Sequence, residues 1–147
     1  MKVLIVGAAG MIGRKLLARL VSDASLGGKP IESLHATDIV APERPAATFP
    51  IHAEACDIAA PYWATKLAAL RADTIFLLAS IVSGEAEADF DKGYGINLEG
   101  TRLILEAIRR EQQLSGGAYK PRLVFTSPLS MSNGEQICVG DQPIRGG

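Results

Sequence analysis

Val3-Leu4-Ile5-Val6-Gly7-Ala8-Ala9-Gly10-Met11-Ile12-Gly13 decides the fold. Its four leading apolar residues, three of them β-branched and all bounded by glycine, read as a strand buried on both faces. From Met11 the period changes. Ile12, Leu16, Leu17, Leu20 and Val21 recur at helical spacing, while Arg14, Lys15 and Arg19 fall elsewhere. A strand that passes through a tight turn straight into a helix opens a βαβ unit.

Working outward, Ser22 to Pro30 reads as a loop, and a second strand runs from Glu32 to Thr37 and ends at Asp38. Pro42, Pro45 and Pro50 leave room for only a short third strand near Ile51 to Ala53. A helix follows from Pro61 to Arg71, with proline in the first turn, where its missing N–H has no intrahelical partner to lose. Thr74 to Ser80 is a fourth buried strand. Glu87 to Leu114 is a long helical region marked by Phe90, Tyr94, Leu98, Ile104, Leu105 and Ile108, and Arg122 to Ser127 is a fifth strand. This order predicts an α/β fold, a Rossmann-type doubly wound parallel sheet of about five strands. Residues 1–127 are expected to form that domain. Residues 128–147, with two prolines and four glycines, read as an irregular tail, so the sheet is expected to be incomplete on its C-terminal side.

Composition narrows the function. In 147 residues, 48% hydrophobic and 21% charged, 15 basic side chains face 16 acidic ones, leaving a formal net charge of −1. A nucleic-acid partner has no electrostatic footprint in that balance. No apolar run approaches the roughly 20 residues that span a bilayer, so no membrane partner is expected. Cys56 and Cys138 belong to no CxxC or Cys/His cluster and read as reduced thiols. His35 and His52 read as isolated, so no metal is expected, and the chain reads as cytoplasmic.

The glycines Gly7, Gly10 and Gly13 spell G-x-x-G-x-x-G between a strand and a helix. Such a turn lets the backbone approach a diphosphate, with the first helical amides, those of Met11, Ile12 and Gly13, aimed at the anion. The bland alternative is a tight βα turn with no ligand. Asp38 stands where a carboxylate accepts both ribose hydroxyls of an adenosine and repels a 2′-phosphate. Ile39-Val40 supply no cation for one, so NAD is preferred over NADP. A turn-capping aspartate is the other reading of Asp38. Asp57-Ile58 is a candidate for the adenine edge, with a loop-start aspartate as its alternative. Leu78-Ala79-Ser80 is a candidate for the diphosphate and nicotinamide ribose.

Taken in order, G-x-x-G-x-x-G, Asp38, Asp57-Ile58, Leu78-Ala79-Ser80, Asn97-Leu98-Glu99-Gly100-Thr101 and Val124-Phe125-Thr126-Ser127 resemble the extended short-chain dehydrogenases/reductases, the NAD-dependent epimerase/dehydratase family. The stretch from Ser80 to Asp91, running into Asn97-Leu98-Glu99-Gly100-Thr101, is most similar to the family's D-erythronate dehydrogenase branch. The resemblance covers about residues 1–127. It implies that Asn97 braces the active site, that Thr126 and Ser127 line the nicotinamide end, and that Ser83, Gly84 and Glu85 meet an acid substrate. It also implies an acid/base tyrosine in Y-x-x-x-K and a Ser or Thr after the fifth strand that holds the substrate oxygen. No tyrosine follows Tyr119, and Pro128 stands where the hydroxyl is expected, so no catalytic residue is assigned. Tyr62 and Lys66 match the spacing, but on a helix preceding the fourth strand, and are read as coincidence. Trp63 is expected to pack a helix, and Tyr119-Lys120 to form a solvated turn.

The resulting expectation is the NAD-binding domain of an NAD-dependent oxidoreductase or epimerase acting on a small-molecule sugar or sugar acid such as D-erythronate, lacking the catalytic Tyr/Lys helix in this chain. The alternatives are a non-catalytic dinucleotide-binding sensor or regulatory module, and a small interaction domain with no ligand. Because the fifth strand lacks its usual cover, self-association into a homo-oligomer is also expected.

Overall fold

The computed structural model describes residues 1–78 and 99–126. Strand β1 (Lys2–Val6) leads into helix α1 (Met11–Asp23), then a small hairpin of β2 (Ser25–Leu26) and β3 (Lys29–Pro30). Next come β4 (Ser33–Asp38), β5 (Ile51–Ala55), α2 (Pro61–Ala69), β6 (Thr74–Leu77), α3 (Thr101–Leu114) and β7 (Arg122–Phe125). Five strands form one sheet in the order β5-β4-β1-β6-β7, and every neighbouring pair is parallel. This is the doubly wound architecture expected from the strand and helix order.

Period-two alternation divides the core between the two sheet faces. Leu4 and Val6 of β1 join Ile75 and Leu77 of β6 on one face, beneath Ala64, Leu67 and Ala68 of α2 and Ile104, Ala107 and Ile108 of α3. Val3 and Ile5 join Leu34, Ala36, Ile51 and Phe76 on the other face, beneath Leu17 and Leu20 of α1. With helices on both sides, β1 has no polar face, which is why it reads as an unbroken apolar run.

Several boundaries differ from the sequence reading. The Ser22–Pro30 loop contains the β2–β3 hairpin, in which Leu26 pairs with Lys29. Gly27 and Gly28 turn it with φ of 58° and 79°, the paired left-handed conformation of a two-residue type I′ turn. Two-residue strands are too short to show periodicity. The buried stripe of α1 is Gly13, Leu17 and Leu20, and Ile12 stands exposed instead of joining it. The third long strand reaches Ala55, not Ala53, and α2 stops at Ala69, before Arg71 turns left-handed at φ 50°. In α3, Ile104, Ala107 and Ile108 are buried, whereas Leu105 is exposed. The helical stretch expected before Glu99 and the tail from 128 lie outside the described residues, as does the division at 127.

Because all five strands run the same way, Val6, Asp38, Ala55, Leu77 and Phe125 end at one edge of the sheet. The chain leaves β1 toward β4 and β5, then returns to β6 on the opposite side of β1. Loops diverging from such a reversal open a crevice at the carboxyl edge, beside β1. Among the described residues, no helix is long and apolar enough to cross a membrane.

Candidate functional site

The glycine turn follows β1 at that edge. Gly7 adopts φ 97°, a conformation costly to any residue with a Cβ. Gly7 N and Ala8 N both donate to the Thr37 carbonyl, at 2.8 and 3.0 Å, which pins the turn to the end of β4. Thr37 is itself fully buried, and its hydroxyl donates to the Ile5 carbonyl at 3.4 Å. Gly13 brings α1 against the turn so closely that a Cβ there would lie 2.1 Å from the Gly7 carbonyl oxygen and 2.7 Å from Ala8 Cα. Gly10 differs: a Cβ there meets nothing nearer than 3.6 Å, so no protein contact demands glycine at the helix N-cap.

That N-cap makes no side-chain cap hydrogen bond, and the first turn of α1 holds no acidic residue. The first amides of a helix have no intrahelical acceptor, and the helix dipole places partial positive charge there. Met11 and Ile12, in the same turn, are exposed. The arrangement suits an anion approached along the backbone.

Asp38 ends β4 beside the glycine turn. Its Oδ2 accepts from Ala9 N at 2.9 Å and its Oδ1 from Ile39 N at 2.7 Å. A carboxylate offers about four acceptor positions, so two remain for hydroxyl donors. Ile39 and Val40, immediately after it, are exposed apolar side chains. Asp38 therefore does cap a turn, and does so with acceptor capacity to spare.

The remaining expected site residues divide. Asp57 Oδ1 accepts from Ala59 N at 3.0 Å, shaping the turn before α2, and Ile58 is buried in the core shared by α2 and α3. Leu78 N donates to the Val6 carbonyl at 2.7 Å, keeping Leu78 in line with β1, and its side chain packs on the α1 side. Thr126 is exposed at the end of β7. Ala79, Ser80, Ser83, Gly84, Glu85, Asn97 and Ser127 lie outside the described residues.

Two expectations about ring-bearing residues are overturned. Tyr119 is not in a solvated turn: its hydroxyl donates to the Ala72 carbonyl at 2.8 Å, and its ring packs against the α2–α3 core. Burial, with Asp73 and Glu111 nearby, pushes its phenol up to about 12. His35 and His52 are not isolated either. The β4–β5 register sets them side by side with ring centroids 4.6 Å apart. His35 Nε2 lies 2.7 Å from Glu54 Oε1, and Lys66 Nζ donates to Glu54 Oε2 at 2.7 Å. His52 and Glu54 are two residues apart on one strand and so share a face, a signal present in the sequence. Lys66 is thus engaged by Glu54 and lies 4.5 Å over the Trp63 ring, against which the exposed Tyr62 ring packs edge-on at 5.4 Å.

This cluster makes the fold acid-sensitive. Burial holds His35 below its ordinary 6.5, outweighing the opposing hydrogen bond to Glu54. Burial raises Glu54, but hydrogen bonds from Lys66 and His35 outweigh it and keep the carboxyl below its ordinary 4.5. In both cases the unfolded chain binds the proton more readily, so stability present at neutral pH falls as pH drops below 6.5, and further through the Glu54 range. Thermal melts from pH 7.5 to 4 will show a falling Tm. His35→Gln will flatten the limb between pH 6.5 and 5; an unchanged limb would assign the acid sensitivity to other groups.

The profile of the NAD dependent epimerase/dehydratase family matches residues 3–131. A D-erythronate dehydrogenase of Cupriavidus necator is 36% identical over 141 residues, which is 92% of this chain and 41% of that protein. The crystal structure of a nucleoside-diphosphate-sugar epimerase from Agrobacterium tumefaciens superposes with TM-score 0.83 at 55% identity, covering 88% of this chain and 37% of that one. A variant of uronate dehydrogenase from the same organism, complexed with NAD, superposes with TM-score 0.64 at 28% identity, covering 86% of this chain and 40% of that one. The chain therefore spans about 40% of the length of these relatives.

Proposed function

This chain belongs to the NAD dependent epimerase/dehydratase family, and from that premise we propose that it supplies the NAD-binding part of an oxidoreductase acting on a sugar acid of the D-erythronate kind. The observation that carries the cofactor half is Asp38, whose carboxylate is anchored to Ala9 and Ile39 with acceptor positions left over. The donor set suits a dinucleotide. Open amides at the start of α1 take the diphosphate, Gly10 leaves room for its approach, and Asp38 takes the adenosine ribose hydroxyls. Ile39 and Val40 after that carboxylate, and Met11 and Ile12 in the first turn of α1, are exposed apolar side chains. In this reading Asp57 serves the adenine end, and Leu78, Ala79 and Ser80 are assigned to the diphosphate and nicotinamide ribose. Asn97, Thr126 and Ser127 belong to the nicotinamide end in this reading, and Ser83, Gly84 and Glu85 to the acid substrate.

Bound NAD supplies a hydride acceptor for the substrate's carbinol carbon. What these residues do is bind, orient and select. Asp38 disfavours a 2′-phosphate by charge, with no neighbouring cation at Ile39 or Val40 to offset it, so NAD is preferred to NADP. We take residues 1–127 as the NAD-binding domain. Self-association through the β7 side, where Val124 and Phe125 stand exposed, belongs to the same proposal.

Titration with NAD, read by thermal shift, tests the cofactor half. At about 100 times its Kd, NAD will add roughly 2.7 kcal/mol of stability, and NADP will add much less. No shift with NAD at millimolar concentration would sink the proposal. Formation of NADH from D-erythronate against uronates and nucleotide sugars, measured on this protein, tests the substrate class.

A further inference from the structure

We propose that His35, His52 and Glu54 form a binding site for a divalent transition metal, of the Zn2+ class, that clamps the edge strand β5 to β4. The three residues each present a donor atom, and these atoms lie within 4.8 Å of one another. Two imidazoles and a carboxylate are the donor set that borderline metals accept, whereas Mg2+ and Ca2+ prefer oxygen alone. The site is built by register: His35 pairs with His52, and Thr37 pairs with Glu54, so the three side chains share one sheet face at its outer edge. His35 and Glu54 are mostly buried at 14% and 18% side-chain exposure, while His52 is open at 65% and leaves a solvent path for entry and for water ligands.

The distances need little change. Zn2+ bound to nitrogen and oxygen at about 2.0–2.1 Å in a tetrahedron holds its ligands roughly 3.3 Å apart. His35 Nε2 and Glu54 Oε1 are 2.7 Å apart, so the ion takes the place of the proton they share, and that proton moves to Nδ1 of the same ring. His52 Nε2 stands 3.9 Å from Glu54 Oε2, and its exposed ring is free to rotate inward. Lys66 is the competitor: its ammonium already neutralises Glu54 through Oε2 and opposes a second cation nearby. This gives the site a signature that a merely structural ion-pair network lacks, because removing Lys66 must strengthen metal binding.

Zn2+ titrated at pH 7.5 into the untagged chain, by calorimetry and by fluorescence of Trp63, provides the test. Trp63 is the single tryptophan, and Lys66 Nζ lies 4.5 Å over its ring, so displacement of Lys66 registers in its emission. One Zn2+ per chain is expected, Mg2+ failing to compete. Loss even of an outer-sphere partner lowers metal affinity by about 10–100-fold, so His52→Ala, which removes an exposed ligand and leaves the core intact, will weaken Zn2+ binding at least about tenfold. Lys66→Met will tighten it, and bound Zn2+ will raise the Tm of the wild-type chain but not of His52→Ala. Absence of Zn2+ binding, binding unaltered by His52→Ala, or weakened binding in Lys66→Met would each overturn the proposal. None of these readouts depends on NAD.

Discussion

Gly13→Ala will melt about 10 °C below the native chain, the equivalent of roughly 3 kcal/mol, if it folds at all. The new Cβ would sit 2.1 Å from the Gly7 carbonyl oxygen and under 3 Å from two backbone atoms of Ala8. No side-chain rotamer can relieve a collision with backbone, so α1 must lift away from the turn. That movement disturbs Leu17 and Leu20, which the same helix buries. Gly10→Ser is the contrast. A Cβ at Gly10 meets nothing within 3.6 Å, and the serine hydroxyl can cap a helix that now lacks a side-chain cap, so Tm will hold or rise slightly. Its effect will fall on NAD affinity, because the proposed diphosphate path passes over Gly10. Calorimetric melting and NAD titration on both variants check the pair. A Gly13→Ala protein melting within two or three degrees of wild type would show that α1 does not depend on this close approach.

Asp38→Ala will weaken NAD binding by about 100-fold or more, since hydrogen bonds to a charged acceptor contribute roughly 1.5–3 kcal/mol each and two are removed. It will also erode discrimination against NADP, because the repelling charge is gone. Part of the loss is indirect: Ala9 N and Ile39 N lose their acceptor, and the turn loosens. Asp38→Asn removes the charge with less damage to the turn. Its amide oxygen can still accept from Ala9 N, whereas its NH2 cannot accept from Ile39 N, so one of the two anchoring bonds is kept and the charge is not. NAD and NADP affinities of the two variants, each with its Tm, resolve the contributions. NAD affinity within threefold of wild type in Asp38→Ala would remove the ribose assignment.

The β1–turn–α1 unit was legible because its determinants are local. A doubly buried strand must be apolar at every position, a turn at φ 97° favours glycine, and a helix imposes its own period, all within about 20 residues. Asp38 was legible as a carboxylate at the end of a strand. Its bond to Ala9, 29 residues earlier, was not, because nothing local requires it. The place of Tyr119 is hidden from the sequence for a related reason. Gly116, Gly117 and Pro121 mark a loop correctly, but loop composition does not reveal that a ring in it reaches Ala72, 47 residues away. Ile12 and Leu105 recur at helical spacing yet stand exposed, because periodicity identifies an apolar face without saying where its cover ends.

The amino-acid order alone determined the alternation of strands and helices and the glycines on which the turn depends, since both follow from backbone sterics over a few neighbouring residues. Only tertiary structure decided which distant polar groups meet: Asp38 with Ala9, and His35 with His52 and Glu54. Those meetings depend on strand register, and register is set collectively by burying two sheet faces at once. A slip of one residue would turn every side chain of a strand to the opposite face, so the register is held by the whole core and by no single residue within it.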